Sequence, residues 1–443
     1  MFVLNRLEVD QRMQFIVVTQ DYVGLGFAVR LRDEGHEVIL ACNPRPEDQM
    51  GPRAAAYALV GDGLVEKRDL SQLLDRRETL REAYWLWDFN HSVDENETLR
   101  AEGFKVFGGG RHANSMEHDR AQCLAFVEQY GLHAPPSVRF ASPAEALVFL
   151  EAHAEIAYVY KPDEGDSYET FLPEAEEPSE ANEELRAHLR ANTHTGPFIL
   201  QERKEGVETN AEVWFQAGEP VFAFMAIECK KKYALDLGHL VGCAFNYAFV
   251  VPLDCRAVRE VVGRLYPAYR EMKYTGFADA NFIAAKDGIW FLEKCERFGY
   301  NSHPNLFWNL SRTGLGRVIA SLVDGTFSPD FAEGFGASLL MSTKEGAPGG
   351  HAISFPEKLG HDLFFWDVYQ KNGQYLTAGY DPDGYVLLVN AHGFTMETAW
   401  ENVLEKAARV RFPYRHYRAD GDQTNYPTSP LRRYEALKAM GYI

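Results

Sequence analysis

The sequence predicts a multidomain protein that combines α/β and α+β architecture. In roughly the first hundred residues, short apolar strands alternate with helical segments and glycine turns, which is typical of a parallel sheet. From about residue 198, longer strands follow one another through tight turns, which indicates antiparallel pairing. The 443-residue chain is long enough for about three domains, predicted at residues 1–112, 113–333 and 334–443.

The N-terminal segment is predicted to form a Rossmann-like unit. Residues 15–19 read as an apolar strand, 20–26 as a glycine-containing turn, 27–34 as a helix and 37–41 as the next strand. A glycine turn that opens a helix leaves backbone N–H groups available for an anion. The helix lacks the third glycine of the dinucleotide fingerprint, so the sequence argues against a nicotinamide cofactor. An unrelated dinucleotide or nucleotide-sugar enzyme therefore remains an alternative that depends on the glycine turn alone.

Composition excludes several classes of protein. The net charge of −19 argues against general nucleic-acid binding, because a phosphate backbone requires basic patches. The six cysteines show no zinc or disulfide spacing, a pattern typical of reduced thiols. No signal-peptide pattern and no apolar run of membrane-spanning length is visible. We therefore expect a cytoplasmic protein with no membrane partner.

The most informative segment is a hairpin that ends in charged residues. Residues 277–284 read as a strand, 286–288 as a tight turn, and the segment that ends at 291–299 as the second strand. Alternate residues of a strand share one face, so polar side chains of both strands should converge. The residues expected on that face are Asp279, Asn281, Glu293 and Cys295.

These side chains predict a metal site. Oxygen ligands suit Mg²⁺ or Mn²⁺, whereas the thiol of Cys295 is a poor ligand for Mg²⁺. Arg297 adds a fork of donors for a phosphate or carboxylate oxygen. The alternative interpretation is a surface hairpin whose charges are simply solvated.

Residues 292–299, Leu-Glu-Lys-Cys-Glu-Arg-Phe-Gly, resemble the signature Leu-Glu-Phe-Asn-Cys-Arg-Phe-Gly of ATP-grasp ligases. Within that superfamily the chain most resembles the glycinamide ribonucleotide synthetases (phosphoribosylamine–glycine ligases). Further matching motifs occur in the same order at residues 274–276, 324–326 and 417–421. Because each motif is short, the specific signal is their collinearity from about residue 15 to residue 421.

The resemblance implies a domain order and a set of nucleotide contacts. It implies a pre-ATP-grasp domain, a two-part ATP-grasp module with a lid subdomain at about 135–200, and a small C-terminal α/β domain. ATP and Mg²⁺ (or Mn²⁺) are the implied cofactors. The residues implied for nucleotide binding are Arg120, Lys161, Gln201, Glu202, Glu208 and Lys230, those for catalysis are Arg297 and Lys232, and those for the metal are Glu293, Asn281, Cys295 and Asp279.

The chain departs from the family pattern in three places. The loop at residues 163–169, which the family fills with glycines, has one glycine and four acids. Cys295 replaces the metal-binding asparagine, and residues 300–305 replace an Asp-Pro-Glu sequence. The nearest substrates that the resemblance implies are glycine and a phosphoribosylamine, and these departures leave another amino acid or amine open.

The predicted activity is an ATP-dependent carboxylate–amine ligation that proceeds through an acyl phosphate. The expected partners are a small carboxylate, such as an amino acid, and an amine, acted on by a monomer or homodimer. The alternative, which the acidic loop and Cys295 support, is a degenerate homologue that binds nucleotide or a partner without turnover.

Overall fold

The structure is a computed structural model that describes residues 12–162, 170–191, 196–420 and 428–443. Its strands form one five-stranded, one eight-stranded and two three-stranded sheets, which confirms the predicted α/β and α+β class. No helix in the described ranges is long and apolar enough to cross a bilayer. The acidic loop 163–169 and Gly421, both singled out from the sequence, lie outside the described residues.

The N-terminal sheet is parallel, with the strand order β3-β2-β1-β4-β5. Its strands are β1 Gln14–Thr19, β2 Glu37–Cys42, β3 Glu66–Asp69, β4 Tyr84–Trp87 and β5 Lys105–Phe107. Its helices are α1 Leu25–Asp33, α2 Gly51–Leu59, α3 Leu70–Leu74 and α4 Val93–Ala101. The apolar strand β1 is buried on both faces, as a central parallel strand requires. The strand order reverses between β1 and β4, which is where open α/β sheets bind ligands.

Two helices connect this sheet to the next part of the chain: α5 Arg111–His118 and α6 Arg120–Glu128. Residues 117–130, which are followed by Gly131 and Pro135-Pro136, predict a single helix from Glu117 to Tyr130, and this prediction is wrong at its start. The chain leaves helical geometry at Asp119, whose carboxylate accepts a hydrogen bond from the Gln122 backbone N–H at 2.9 Å. An aspartate in this position caps a new helix, which explains the break.

A small antiparallel sheet follows, with the order β6-β8-β7. It consists of β6 Ser137–Phe140, β7 Tyr158–Pro162 and β8 Phe198–Glu202, covered by α7 Pro143–Ala152 and α8 Pro178–Ala191. These elements enclose their own apolar cluster, which includes Leu150, Tyr160, Leu185 and Leu200. The unit lies within the range predicted for the lid subdomain.

The eight-stranded sheet has the order β13-β12-β9-β10-β11-β14-β19-β16. Its first five strands in the chain are β9 Val207–Gln216, β10 Glu219–Tyr233, β11 Leu237–Val250, β12 Gly276–Ala285 and β13 Gly288–Cys295. The helices between and after them are α9 Arg256–Glu260, α10 Tyr266–Met272, α11 Ser302–Asn305 and α12 Leu315–Val323. The β12–β13 turn lies where the sequence predicted it.

The C-terminal segment continues the same sheet. It comprises β14 Phe335–Ser342, β15 Ala352–Ile353, β16 Leu363–Phe365, β17 Val368–Lys371, β18 Gln374–Thr377, β19 Tyr385–Gly393, α13 Met396–Arg409 and α14 Pro430–Ala439. Because β14, β16 and β19 belong to the eight-stranded sheet, the boundary at residue 334 falls between strands of one sheet and stays a prediction. After α14, the Tyr442 hydroxyl donates to the backbone oxygens of Ala285 and Gly288 at 2.8 and 2.7 Å, so the chain end packs on the hairpin.

Candidate functional site

The hairpin β12–β13 brings the predicted metal residues to one face. Asp279 pairs with Cys295, and Asn281 pairs with Glu293. Directly paired residues of neighbouring strands project to the same side of a sheet. These four residues of the sequence prediction therefore converge, on the face that β9 extends.

Strand β9 adds polar side chains beside this hairpin. Asn210 pairs with Asn281, and Glu212 with Asp279. The Asp279 carboxylate accepts hydrogen bonds from the side-chain amides of Asn210 at 2.7 Å and Asn281 at 3.3 Å. Burial, followed by the negative charges of Glu212 and Glu228, raises the pKa of Asp279 well above its usual value. Because Asn281 uses its amide nitrogen on Asp279, its carbonyl oxygen is the atom left for a ligand.

Lys230 of β10 lies among carboxylates on the same face. Its ammonium is 3.0 Å from Glu208 Oε1 and 3.6 Å from Glu293 Oε1. Burial alone would lower the pKa of Lys230, but Glu208, Glu293 and Glu228 hold it well above its ordinary value. Lys230 in turn is the main cause of the lowered pKa of Glu208. Lys230 and Glu208 are therefore both ionised at neutral pH.

Lys161, at the end of β7, faces this cluster from the small sheet. Burial and the nearby charge of Arg120 lower the pKa of Lys161 to about 8, and Glu293 and Glu208 act in the opposite direction. Burial raises the pKa of Glu293, but Lys230 and Lys161 outweigh it and keep that pKa below its ordinary value. Four predicted nucleotide residues, Arg120, Lys161, Glu208 and Lys230, are thus electrostatically coupled around or near Glu293.

Arg297 follows β13 and is held by an ion pair with Glu117 of α5. Its Nε and Nη2 atoms are 3.0 and 2.9 Å from the same carboxylate oxygen of Glu117, and the two side chains are 12% and 13% exposed. The guanidinium also lies over the rings of Phe89 and Tyr300, with 4.5 and 5.2 Å to the centroids. The other oxygen of Glu117 accepts from Asn90 Nδ2 at 2.8 Å. Arg297 is therefore linked through Glu117 to the loop that follows β4.

The donor set suits a hard divalent ion only in part. Burial raises the pKa of the Cys295 thiol well above its usual value, and Arg297 Nη2 lies 3.7 Å from its sulfur. A neutral thiol that faces a guanidinium does not suit Mg²⁺. Within the described ranges, no three His, Cys, Asp or Glu side chains form a metal-binding group. The residues that fit Mg²⁺ or Mn²⁺ are Glu293 and Asn281, with water and phosphate completing the shell.

Three other predicted site residues lie apart from this cluster. The buried ammonium of Lys232 is 2.6 Å from Glu345 Oε1 and donates to the Asp383 backbone oxygen at 2.8 Å. On β8, Gln201 donates to the Pro135 backbone oxygen at 3.4 Å, and Glu202 pairs with Lys204 at 2.5 Å. The nucleotide roles of Gln201 and Glu202 and the catalytic role of Lys232 stay predictions.

Sequence reasoning missed four residues that shape the site: Asn210, Glu228, Arg433 and the role of Glu117. The period-two pattern Glu208-x-Asn210-x-Glu212 was the available signal for Asn210. Arg433 had no local signal, because it reaches from α14 to donate to the Glu228 backbone oxygen at 2.7 Å. A small pocket is lined by Glu208, Thr209, Asn210, Glu228, Lys230, Asn281 and Arg433.

The glycine turn of the N-terminal sheet is filled by the protein itself. The buried Asp88 carboxylate accepts from the Gly24 backbone N–H at 2.6 Å and from the Thr19 hydroxyl at 2.5 Å. His91 Nε2 is 3.0 Å from its other oxygen. A Cβ atom on Gly24 would lie 2.9 Å from Asp88, so this close approach requires glycine. Asp88 occupies the anion position at the start of α1, consistent with the absence of a dinucleotide fingerprint.

The chain is similar in sequence to one curated ligase and in fold to solved ligase structures. No known family profile matches the chain. The chain is 24% identical over 347 residues to a phosphoribosylamine–glycine ligase from Leifsonia xyli subsp. xyli, covering 73% of this chain and 80% of the relative. It resembles the solved phosphoribosylamine–glycine ligase from Thermotoga maritima with a TM-score of 0.65 and 17% identity, covering 92% of this chain and 100% of that one.

A second solved structure of similar fold is a biotin carboxylase domain. The biotin carboxylase domain of the 2-oxoglutarate carboxylase from Hydrogenobacter thermophilus, solved with MgADP, ADP and bicarbonate, matches with a TM-score of 0.61 and 10% identity, covering 92% of each chain. The resemblance inferred from the motifs is thus confirmed, and the fold is that of the ATP-grasp ligases.

Proposed function

We propose that the protein is an ATP-dependent ligase that joins a small carboxylate to an amine through an acyl phosphate. The observation that carries this proposal is that Lys230, Glu293 and Asn281 line one face of the eight-stranded sheet, and that Lys161 of the small sheet is electrostatically coupled to Glu293. Cationic groups beside a site for a divalent ion are what stabilise the charge that develops in phosphoryl transfer. The similarity to the Leifsonia xyli ligase supports the same reaction class.

Each residue has a part in this proposal. Lys161 and Lys230 contact phosphate oxygens, and Gln201, Glu202 and Glu208 hold the nucleoside. Arg120 adds positive charge at the phosphate end, and a catalytic role of Lys232 requires its ammonium to leave Glu345 and the Asp383 backbone oxygen. The relative solved with MgADP supports ATP and Mg²⁺ as cofactors. When bound, the ion neutralises phosphate charge, and Glu293 with the carbonyl of Asn281 would hold it.

Arg297 is proposed to act on the acyl group. Its guanidinium is fixed by Glu117, by the Phe298 backbone oxygen, which accepts from Nη1 at 3.2 Å, and by two aromatic rings, so an N–H group left for a substrate oxygen has a defined direction. An arginine donor held in this way can orient a carboxylate or phosphate oxygen. Such positioning lowers the entropic cost of bringing carboxylate and nucleotide together.

The nearest candidate substrates are glycine and phosphoribosylamine, and the altered residues 300–305 favour a different amino acid or amine. A cytoplasmic location belongs to the same proposal, supported by six free cysteines, of which five are buried. We also propose that the protein acts as a monomer or homodimer. The domain boundaries at residues 112 and 333 are part of the same proposal.

The test is a panel of amino acids and amines screened in pairs for stimulated ADP release in the presence of Mg²⁺. Calorimetry with MgATP would run alongside it. We expect MgATP binding and one substrate pair that accelerates ADP release well above the basal rate. Lack of MgATP binding would refute the proposal.

The second candidate function is nucleotide binding without turnover. The observation that favours it is that a buried thiol, Cys295, lies where the resemblance implies a metal-binding asparagine, with Arg297 Nη2 3.7 Å from its sulfur. In the same screen, MgATP binding with no stimulating pair would favour this candidate.

A further inference from the structure

Lys230 occupies the centre of an acidic face formed by Glu208, Glu228 and Glu293. Its ammonium lies within hydrogen-bond distance of Glu208 and within ion-pair distance of Glu293, and Glu228 is a third negative neighbour. The side chain of Lys230 is 29% exposed, so water screens these charges less than on an open surface. Without this cation, three carboxylates would face one another across strands β9, β10 and β13.

We propose that Lys230 is a resident counter-cation that competes with the divalent ion for Glu293. The ammonium is 3.6 Å from Glu293 Oε1, whereas Mg²⁺ lies about 2.0–2.1 Å from an oxygen ligand. An ion bound to this carboxylate would lie close to the ammonium and would be repelled by it. This inference rests on the proposed function for the identity of the ion.

The competition implies an order of binding. Lys230 can leave Glu293 at low cost only when another anion takes its place, and the phosphates of the nucleotide are such an anion. Lys161 adds a second positive charge that disfavours a metal ion without phosphate. The divalent ion should therefore bind poorly alone and should enter together with the nucleotide.

The test measures Mn²⁺ binding to the nucleotide-free protein, with free Mn²⁺ followed by electron paramagnetic resonance. Lys230→Met is compared with Lys231→Met, a matched change at the next residue of β10, whose backbone pairs with Leu240. We expect Lys230→Met to bind Mn²⁺ at least about tenfold more tightly than the wild type, and Lys231→Met to match the wild type. Adding Glu293→Gln to Lys230→Met should abolish the gain.

Lys230→Gln provides a second variant should the methionine variant fold poorly, because an amide can still donate to Glu208. Equal Mn²⁺ affinity in the wild type and both Lys230 variants would overturn the proposal, as would a gain that persists with Glu293→Gln. Neither measurement needs turnover. Failure to bind MgATP would overturn the proposed function, while unchanged Mn²⁺ affinity in a protein that does bind MgATP would overturn the competition alone.

Discussion

The buried ion pair between Arg297 and Glu117 should be far more important for stability than an exposed arginine–glutamate pair. We expect Glu117→Gln to lower the free energy of unfolding, because one oxygen of Glu117 accepts from Arg297 Nε and lies 2.9 Å from Nη2, and the other accepts from Asn90. Glutamine has only one acceptor oxygen. Its amide nitrogen would therefore face a donor on one side or the other.

The size of the effect follows from burial. Both side chains are at most 13% exposed, so loss of the carboxylate charge leaves a guanidinium without its counter-ion in a largely water-free site. Removing one partner of a buried pair costs about 3–5 kcal/mol, and we expect about 3 kcal/mol because glutamine keeps the shape and one acceptor. Urea unfolding, followed by tryptophan fluorescence, would measure the loss.

Glu219→Gln is the matched control. Glu219 also binds an arginine through two nitrogens, with Arg270 Nε and Nη2 each 2.9 Å from a carboxylate oxygen, but its side chain is 61% exposed. Water screens such a pair, so we expect no measurable change in unfolding. Equal losses in the two variants would contradict the reasoning that burial, rather than hydrogen-bond geometry, determines the contribution.

Three further outcomes are expected. Glu293→Gln should abolish substrate-stimulated ADP release while circular dichroism stays unchanged, and retained activity would reassign the hairpin as structural. The affinity for MgATP should fall as the pH rises from about 7 to 9, because the pKa of Lys161 near 8 means that its ammonium loses charge over this range; Lys161→Arg should remove that dependence in calorimetry. Iodoacetamide at pH 8 should modify Cys255, which is partly exposed, well before the buried Cys295, and mass spectrometry showing the reverse order would contradict the assigned thiol environment.

Elements whose signals are local can be predicted from the amino-acid sequence. Period-two alternation and the turn at residues 286–288 predicted the hairpin, and the structure pairs Asn281 with Glu293 as expected. The apolar strands and glycine turns of the first sheet were equally readable, because a strand buried on both faces is continuously apolar. The sequence also predicts a helix at residues 395–410, and α13 differs from it by one residue at each end; the Thr395 side chain caps the helix by accepting from the Thr398 backbone N–H.

Which charged residues form ion pairs depends on the tertiary structure. Lys230 and Lys232 belong to one run of three lysines, yet Lys230 contacts Glu293 and Lys232 contacts Glu345. Register shifts on both sides of Lys231 separate them, and such irregularities depend on how β10 pairs with β11.

The partners of Arg297 and Glu228 likewise could not be predicted from local sequence patterns. Glu117 precedes Arg297 by 180 residues, and Arg433 follows Glu228 by 205. Local patterns specify strands, helices and the faces on which side chains lie, because those depend on backbone period alone. Contacts across such distances depend on strand order, register and helix docking, which the packing of the whole chain determines.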